Sequence, residues 1–215
     1  MAYGLNIMPE GGHFPKVDWD RKAALGGPAL KPETEWDKVS AGVKGVPIDG
    51  SKFPKQVRWL EDKDNPPPDF DKTPYWNVSD RARQVIEQLE PGVHQFFPVE
   101  YVNRPGTHIG DRFWFVVCNR LDAVDPEHSN MVLTPSEKWI GPRQALAMGL
   151  EIPAKIDVEM PSKTVFNHEA IGTVHFWREA KLSGGPWLSD EAAAAIRAAG
   201  LTGVRLDEKD RIGEV

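Results

Sequence analysis

Six histidines, a single cysteine and a surplus of acids are the side chains of this 215-residue chain that could act in catalysis or hold a metal. His13, His94, His108, His128, His168 and His175 are scattered, and no pair has the spacing of a standard metal motif. His168-Glu169 with His175 comes nearest. A zinc-binding HExxH helix, however, needs its second histidine four residues after the first, so that both project from one face. The residues give no reason to expect a metal or a cofactor. Cys118 follows Val116 and Val117 at the end of an apolar run, where a thiol packs as a small hydrophobe. To act as a nucleophile it needs a base beside it, and His94 or His108 across a hairpin are the candidates. Asp122 and Asp125 in LDAVDPEHS are a candidate acid–base pair, although aspartates at such places commonly close a turn by accepting its amide protons. Gly184-Gly185-Pro186 lacks the lysine of a phosphate loop and no GxGxxG run occurs, so nucleotide binding has no support. The enzymatic alternative is therefore a hydrolase using Cys118 with His94, or Asp122 with Asp125.

Composition narrows the partner rather than the chemistry. The formal charge is -6, with 32 acids against 26 Lys and Arg, which is the opposite of a nucleic-acid footprint and suits a basic partner. The stretch from Glu61 to Lys72 reads as an extended, exposed loop of five acids around three consecutive prolines. Glu61, Asp62, Asp64, Asp69 and Asp71, with Trp76, are the candidate partner-binding surface. Trp36 and Trp59 share that polar, Pro-rich context and can anchor an interface or pack on their own domain. No apolar run approaches the roughly 18 residues of a membrane helix, and the first residues lack the pattern of an export signal. With one cysteine there is no internal disulfide, and the expected location is cytoplasmic.

The elements that must position these residues are clearest after Tyr75. Ser79-Asp80 and Ser189-Asp190 each open a short amphipathic helix. Ala82, Val85, Ile86 and Leu89 line the inward face of the first, and Ala192, Ala195, Ile196 and Ala199 that of the second. Each serine can cap its helix by accepting a free amide proton of the first turn, and Gly200 can close the second in a left-handed conformation. VHQFFPVEYV and DRFWFVVCNRLDAV, joined by RPGTHIG, read as the strongest hairpin, with Pro98 calling for a bulge or an edge position. PRQALAMGLE reads as a short helix with Pro142 in its first turn. KTVFN and GTVHFWREA read as a second hairpin-like pair separated by HEAI. Residues 1–75 hold ten of the 19 prolines and eight of the 19 glycines, so long helices are not expected there. The fold expected is α+β: a mostly antiparallel sheet with the two Ser-Asp helices packed on it. An irregular Pro/Gly-rich segment over residues 1–55 covers the domain formed by 56–215.

Three blocks taken in order, VSDRARQVIEQLEPGVHQFFPVEY, RFWFVVCNRLDAVDPEHS and SDEAAAAIRAAGLTGVRLDE, resemble a bacterial family of predicted immunity proteins from polymorphic toxin systems. It is their eleventh immunity class, formerly a domain of unknown function. The resemblance covers about residues 56–208, and LEPGVHQFFPV is its most specific part. It implies a protein that binds and neutralises a cognate toxin, or effector protein, encoded by an adjacent gene. It implies no catalytic residues; composition adds no nucleic acid and no membrane as partners, and the oligomeric state stays open. An adaptor or chaperone for a secreted effector is the alternative reading.

Overall fold

The computed structural model describes residues 2–7, 15–18, 45–61, 66–72, 75–206 and 211–215. In chain order the strands begin with β1 (Ala2–Gly4), β2 (Asn6–Ile7), β3 (Val17–Asp18), β4 (Gln56–Trp59), β5 (Phe70–Asp71) and β6 (Asn77–Ser79). The main hairpin is β7 (Gln95–Val102) with β8 (His108–Val116), followed by β9 (Arg120–Leu121), β10 (Val132–Leu133) and β11 (Trp139–Ile140). The last five are β12 (Val165–Phe166), β13 (Phe176–Glu179), β14 (Trp187–Ser189), β15 (Val204–Arg205) and β16 (Arg211–Glu214). The helices are α1 (Asp80–Leu89), α2 (Pro142–Ala147), α3 (His168–Ile171) and α4 (Asp190–Ala198).

The fold class is α+β, with the strands in two six-stranded sheets. The first sheet has the order β12-β16-β1-β14-β13-β9 and the second β3-β4-β7-β8-β6-β5; β10-β11 and β15-β2 form separate ladders. Both sheets are mixed: β12 with β16, β13 with β9, and β4 with β7 pair in parallel, and the other ladders are antiparallel. The β7–β8 hairpin forms as its pattern predicts, with a register shift between Tyr101 and Val102. Pro98 is tolerated because β4 pairs with β7 only from Glu100 onward, so that no ladder partner is lost on that side. KTVFN and GTVHFWREA do not pair with each other. HEAI between them is the helical turn α3, capped by Asn167, which sends β12 to β16 and β13 to β14.

Each Ser-Asp helix belongs to a different sheet. β6 runs directly into α1 and β14 runs directly into α4, and in both cases the serine is the last strand residue and the cap. Ser79 accepts from the Ala82 amide at 3.2 Å and Ser189 from the Ala192 amide at 3.1 Å. Helix α4 ends as expected, with Gly200 at φ +60, its N–H bonded to Arg197 O and that of Leu201 to Ile196 O.

The faces of the two helices meet in one core. Val78, Ala82, Ile86, Phe70 and Phe115 from the second sheet and its helix pack with Tyr3, Phe176, Leu188, Ala192 and Ile196 from the first. The opposite face of each sheet is covered too. Phe53, Val57 and Trp59 of the N-terminal part pack with Val99, Tyr101, Trp114 and Val116. Phe53 stacks on Trp114 with ring centres 5.7 Å apart, and Trp114 Nε1 donates to Pro54 O at 2.7 Å. The start of the chain contributes more than cover, because β1 lies between β14 and β16 in the first sheet.

Candidate functional site

The residues with chemistry gather at the two ends of the α1–α4 pair, which runs antiparallel. At one end the start of α1 meets the end of α4. Asp69 accepts from Ser79 Oγ at 2.5 Å through Oδ1, and from the Thr202 amide and Oγ at 3.0 and 3.2 Å through Oδ2. Arg81 in the first turn of α1 donates to Ala199 O at 2.8 Å, setting a positive charge at the negative end of α4. At the other end the close of α1 meets the start of α4. Glu90 caps α1, and His175 donates its amide proton to Glu90 while its Nδ1 lies 2.9 Å from Ser189 Oγ. The two ends correspond: Asp69-Phe70 and His175-Phe176 stand in equivalent places, each followed by a strand, a serine cap and a helix. Ser79 N donates to Asp69 O as Ser189 N donates to His175 O. The doubled Ser-Asp phrase in the sequence is the trace of this pseudo-symmetry.

Glu90 is the hub of the second node. Its Oε1 accepts from Asn119 Nδ2 (2.9 Å) and His175 N (3.0 Å), and its Oε2 from Phe176 N (2.9 Å) with His94 Nε2 2.7 Å away. Burial disfavours its charge, but the His94 contact and the two backbone amides outweigh that and hold the carboxyl below its ordinary range. His94 Nδ1 in turn accepts the Cys118 amide at 3.2 Å, so the tautomer with hydrogen on Nε2 satisfies both contacts.

This arrangement decides the enzymatic candidates one by one. Cys118 and His94 do come together, but through the cysteine's backbone; the thiol has Val116 O at 3.4 Å and Gln95 Oε1 at 3.9 Å. Burial pushes that thiol up, which makes it a weaker nucleophile rather than a stronger one. We therefore expect native Cys118 to react with iodoacetamide at pH 7.5 at least about tenfold more slowly than after urea unfolding, with mass spectrometry as the readout. Equal rates in both states would mean that the thiol is exposed and unperturbed. Asp122 pairs with Lys181. Asp125 accepts the amides of His128 and Glu127, both at 2.8 Å, which hold it below the usual carboxylate range as a turn cap. His108 is half-exposed beside Glu100 and Asp111.

A cleft of about 340 Å³ opens beside the second node, lined by His168, Thr173, His175, Ser189, Glu191 and Glu214 among others. Ser189, His175 and Glu191 sit together there, yet not as a relay. Ser189 Oγ and Glu191 Oε2 both approach the same ring nitrogen, Nδ1, at 2.9 and 3.5 Å. A serine–histidine–acid relay needs serine and carboxylate on opposite nitrogens, and this serine already caps α4. His168 is tied to Glu214 at 3.1 Å. Among the described residues no group of three or more His, Cys, Asp or Glu could hold a metal ion.

The acids of the Glu61–Lys72 stretch are divided. Asp62 and Asp64 lie outside the described residues, as do His13 and Trp36. Glu61 is half-buried and accepts the Lys16 amide at 2.7 Å. Asp69, Asp71 and Trp76 are buried, at 7%, 1% and 6% exposure, so their side chains serve the interior rather than a surface. Trp59 is likewise buried. Asp69 and Asp71 lend opposite charge to the buried Arg112. The sequence showed a polar run; the two partners that bury Asp69 stand ten and 133 residues away. No helix among the described residues is long and apolar enough to cross a membrane.

The sequence model of the Immunity protein family (Imm11) matches residues 8–210. The chain belongs to that family. The match begins well before residue 56, so the Pro/Gly-rich N-terminal part is included in the Imm11 pattern. A comparison with curated proteins finds no match. Membership gives the class of partner, a toxin, and leaves the mode of binding open.

Proposed function

We propose that this Imm11 protein neutralises a cognate toxin by occupying it, without catalysis of its own. Family membership over residues 8–210 carries the reading. The use of the candidate nucleophile, base and acids as structural groups supports it: His94 and Glu90 knit the two sheets, Cys118 is a packed thiol, and Ser189 is a cap. An inhibitor of this kind works through an interface on the order of 1,600 Å² in total. The -6 charge, with Glu191 exposed at the rim of the cleft, suits a basic toxin surface and speeds the encounter. The burial of Asp69, Asp71 and Trp76 favours other, exposed side chains for the contact.

The reading expects the adjacent gene to encode the toxin and the encounter to take place in the cytoplasm. Co-expression of this chain with the isolated toxic domain of that neighbour is expected to restore growth and to give a complex that survives gel filtration. Cys118→Ser is expected to protect as well as the native chain. Killing that is undiminished by co-expression would sink the reading. Protection only when the toxin carries its remaining domains would favour an effector chaperone instead.

A further inference from the structure

Among the described residues two guanidinium groups are buried, Arg112 and Arg178, and they are provided for differently. Arg112 donates from Nε to Asn77 Oδ1 at 2.7 Å and from Nη2 to Asp69 O at 3.3 Å, and the Asp69 and Asp71 carboxylates offset its charge. Arg178 is 5% exposed, and both of its side-chain hydrogen bonds leave from Nη1, to Gly184 O at 3.2 Å and Gly185 O at 2.6 Å. Its Nε is enclosed with no acceptor. The adjacent Glu179 turns its carboxylate to the Ala123 amide at 2.9 Å, and Asp71 acts on Arg112 and Tyr101. Burial pushes the Arg178 guanidinium down to about 10.

Among the described residues a second cation, Lys72, feels the charge of Arg178. The Lys72 ammonium is lowered by burial and by the positive charge of Arg178, and it lies over the Trp76 ring at 5.7 Å. Trp76 Nε1 is itself enclosed with no acceptor. Lys72 is exposed, which marks the side from which solvent reaches the pair. Among the described residues Lys72 thus stands next to two groups, Arg178 and the Trp76 indole, that each enclose a donor without an acceptor, in a chain whose net charge is negative. Holding the glycine loop accounts for Nη1 alone. With Nη1 taken, the remaining Nε–Nη2 edge is the fork that matches two oxygens of one carboxylate or phosphate.

We propose that the Nε–Nη2 edge of Arg178, with Lys72 in electrostatic reach, is an oxyanion site that takes a carboxylate or a phosphate group. The ligand supplies the counter-charge and the acceptors that no described residue gives this edge, and so stabilises the folded state by mass action. Phosphate free in solution and an acidic side chain of a partner protein share this chemistry, and two probes separate them. Thermal melting of the full chain is followed against inorganic phosphate and against N-acetylglutamate amide, each at constant ionic strength with a chloride control. Phosphate is expected to raise Tm with concentration. Lys72→Met is expected to weaken the apparent affinity about fivefold, the effect of losing one charge contact near a protein surface. Arg178→Lys, which keeps the charge and loses the fork, is expected to abolish the response; if that variant folds poorly, the wild-type and Lys72→Met series still decide. A response to phosphate alone points to a free oxyanion, and a response that includes the glutamate probe points to an acidic partner side chain. The proposal is overturned if neither probe exceeds the chloride control, or if either variant keeps the full wild-type response.

Discussion

Glu90→Ala is expected to destabilise the protein by roughly 4 kcal/mol, measured by equilibrium urea unfolding. The carboxylate is 7% exposed and serves four donors: His94 Nε2, Asn119 Nδ2 and the amides of His175 and Phe176. Removing it strands all of them in the interior, and each enclosed donor without an acceptor costs about 1–3 kcal/mol, less whatever water recovers. The loss also uncouples the sheets, since Glu90 closes the helix of the second while three of its donors belong to, or directly precede, strands of the first. Glu90→Gln keeps the shape and one acceptor oxygen but turns an NH₂ toward donors, so about half of that loss is expected. Gln88→Ala, on the exposed side of α1, is the control and should stay within about 0.5 kcal/mol of native. A Glu90→Ala variant as stable as that control would remove the hub from the account.

The same group sets a pH dependence. Its folded pKa lies below the ordinary 4.5, so the carboxylate contributes stability that is fully present above about pH 5 and is lost as pH falls through the folded value. The native chain should therefore lose stability more steeply below pH 4.5 than Glu90→Gln does, and the two curves should converge in acid.

What the sequence made legible was local. Ser79 and Ser189 announced their helices because a cap and a 3.6-residue apolar period lie within ten residues of each other, and the β7–β8 hairpin because its strands are joined by a short turn. The division into two sheets was not legible. It depends on Ala2–Gly4 pairing with Trp187–Ser189 and with β16, contacts that span nearly the whole chain and leave no periodic trace. In sequence HEAI reads as a connection between paired strands, and the signal that makes it helical is the Asn167 cap. Asp69 looked exposed for a similar reason. A run of acids and prolines reads as solvated loop until its last members are found buried, Asp71 in β5 and Asp69 just before it, bonded to a cap and to the turn after the other helix. Arg178 gave no sign at all, because a guanidinium becomes unusual only when it is found buried with an Nε that has no acceptor.

That turn carries the other large effect: Gly203→Ala is expected to cost at least about 3 kcal/mol. Gly203 has φ +88, which an L side chain rarely adopts, and a Cβ built there would lie 2.0 Å from Phe70 O and 2.8 Å from Pro68 Cβ. The clash is with backbone, so no rotamer relieves it. Moving the turn away breaks the bond from Phe70 N to Thr202 O at 3.0 Å and loosens the Asp69 clip. Gly200→Ala isolates the conformational part. Gly200 has φ +60 with nothing within 4 Å of its would-be Cβ, so about 1 kcal/mol is expected there. The difference between the two variants measures the clash. Combining Gly203→Ala with Asp69→Ala then tests how the clash is relieved: if the turn retreats and the clip opens, the double variant loses clearly less than the sum of the singles. Additive losses would mean that the turn holds its place, that Phe70 and Pro68 give way instead, and that the strain is absorbed at the edge of the second sheet.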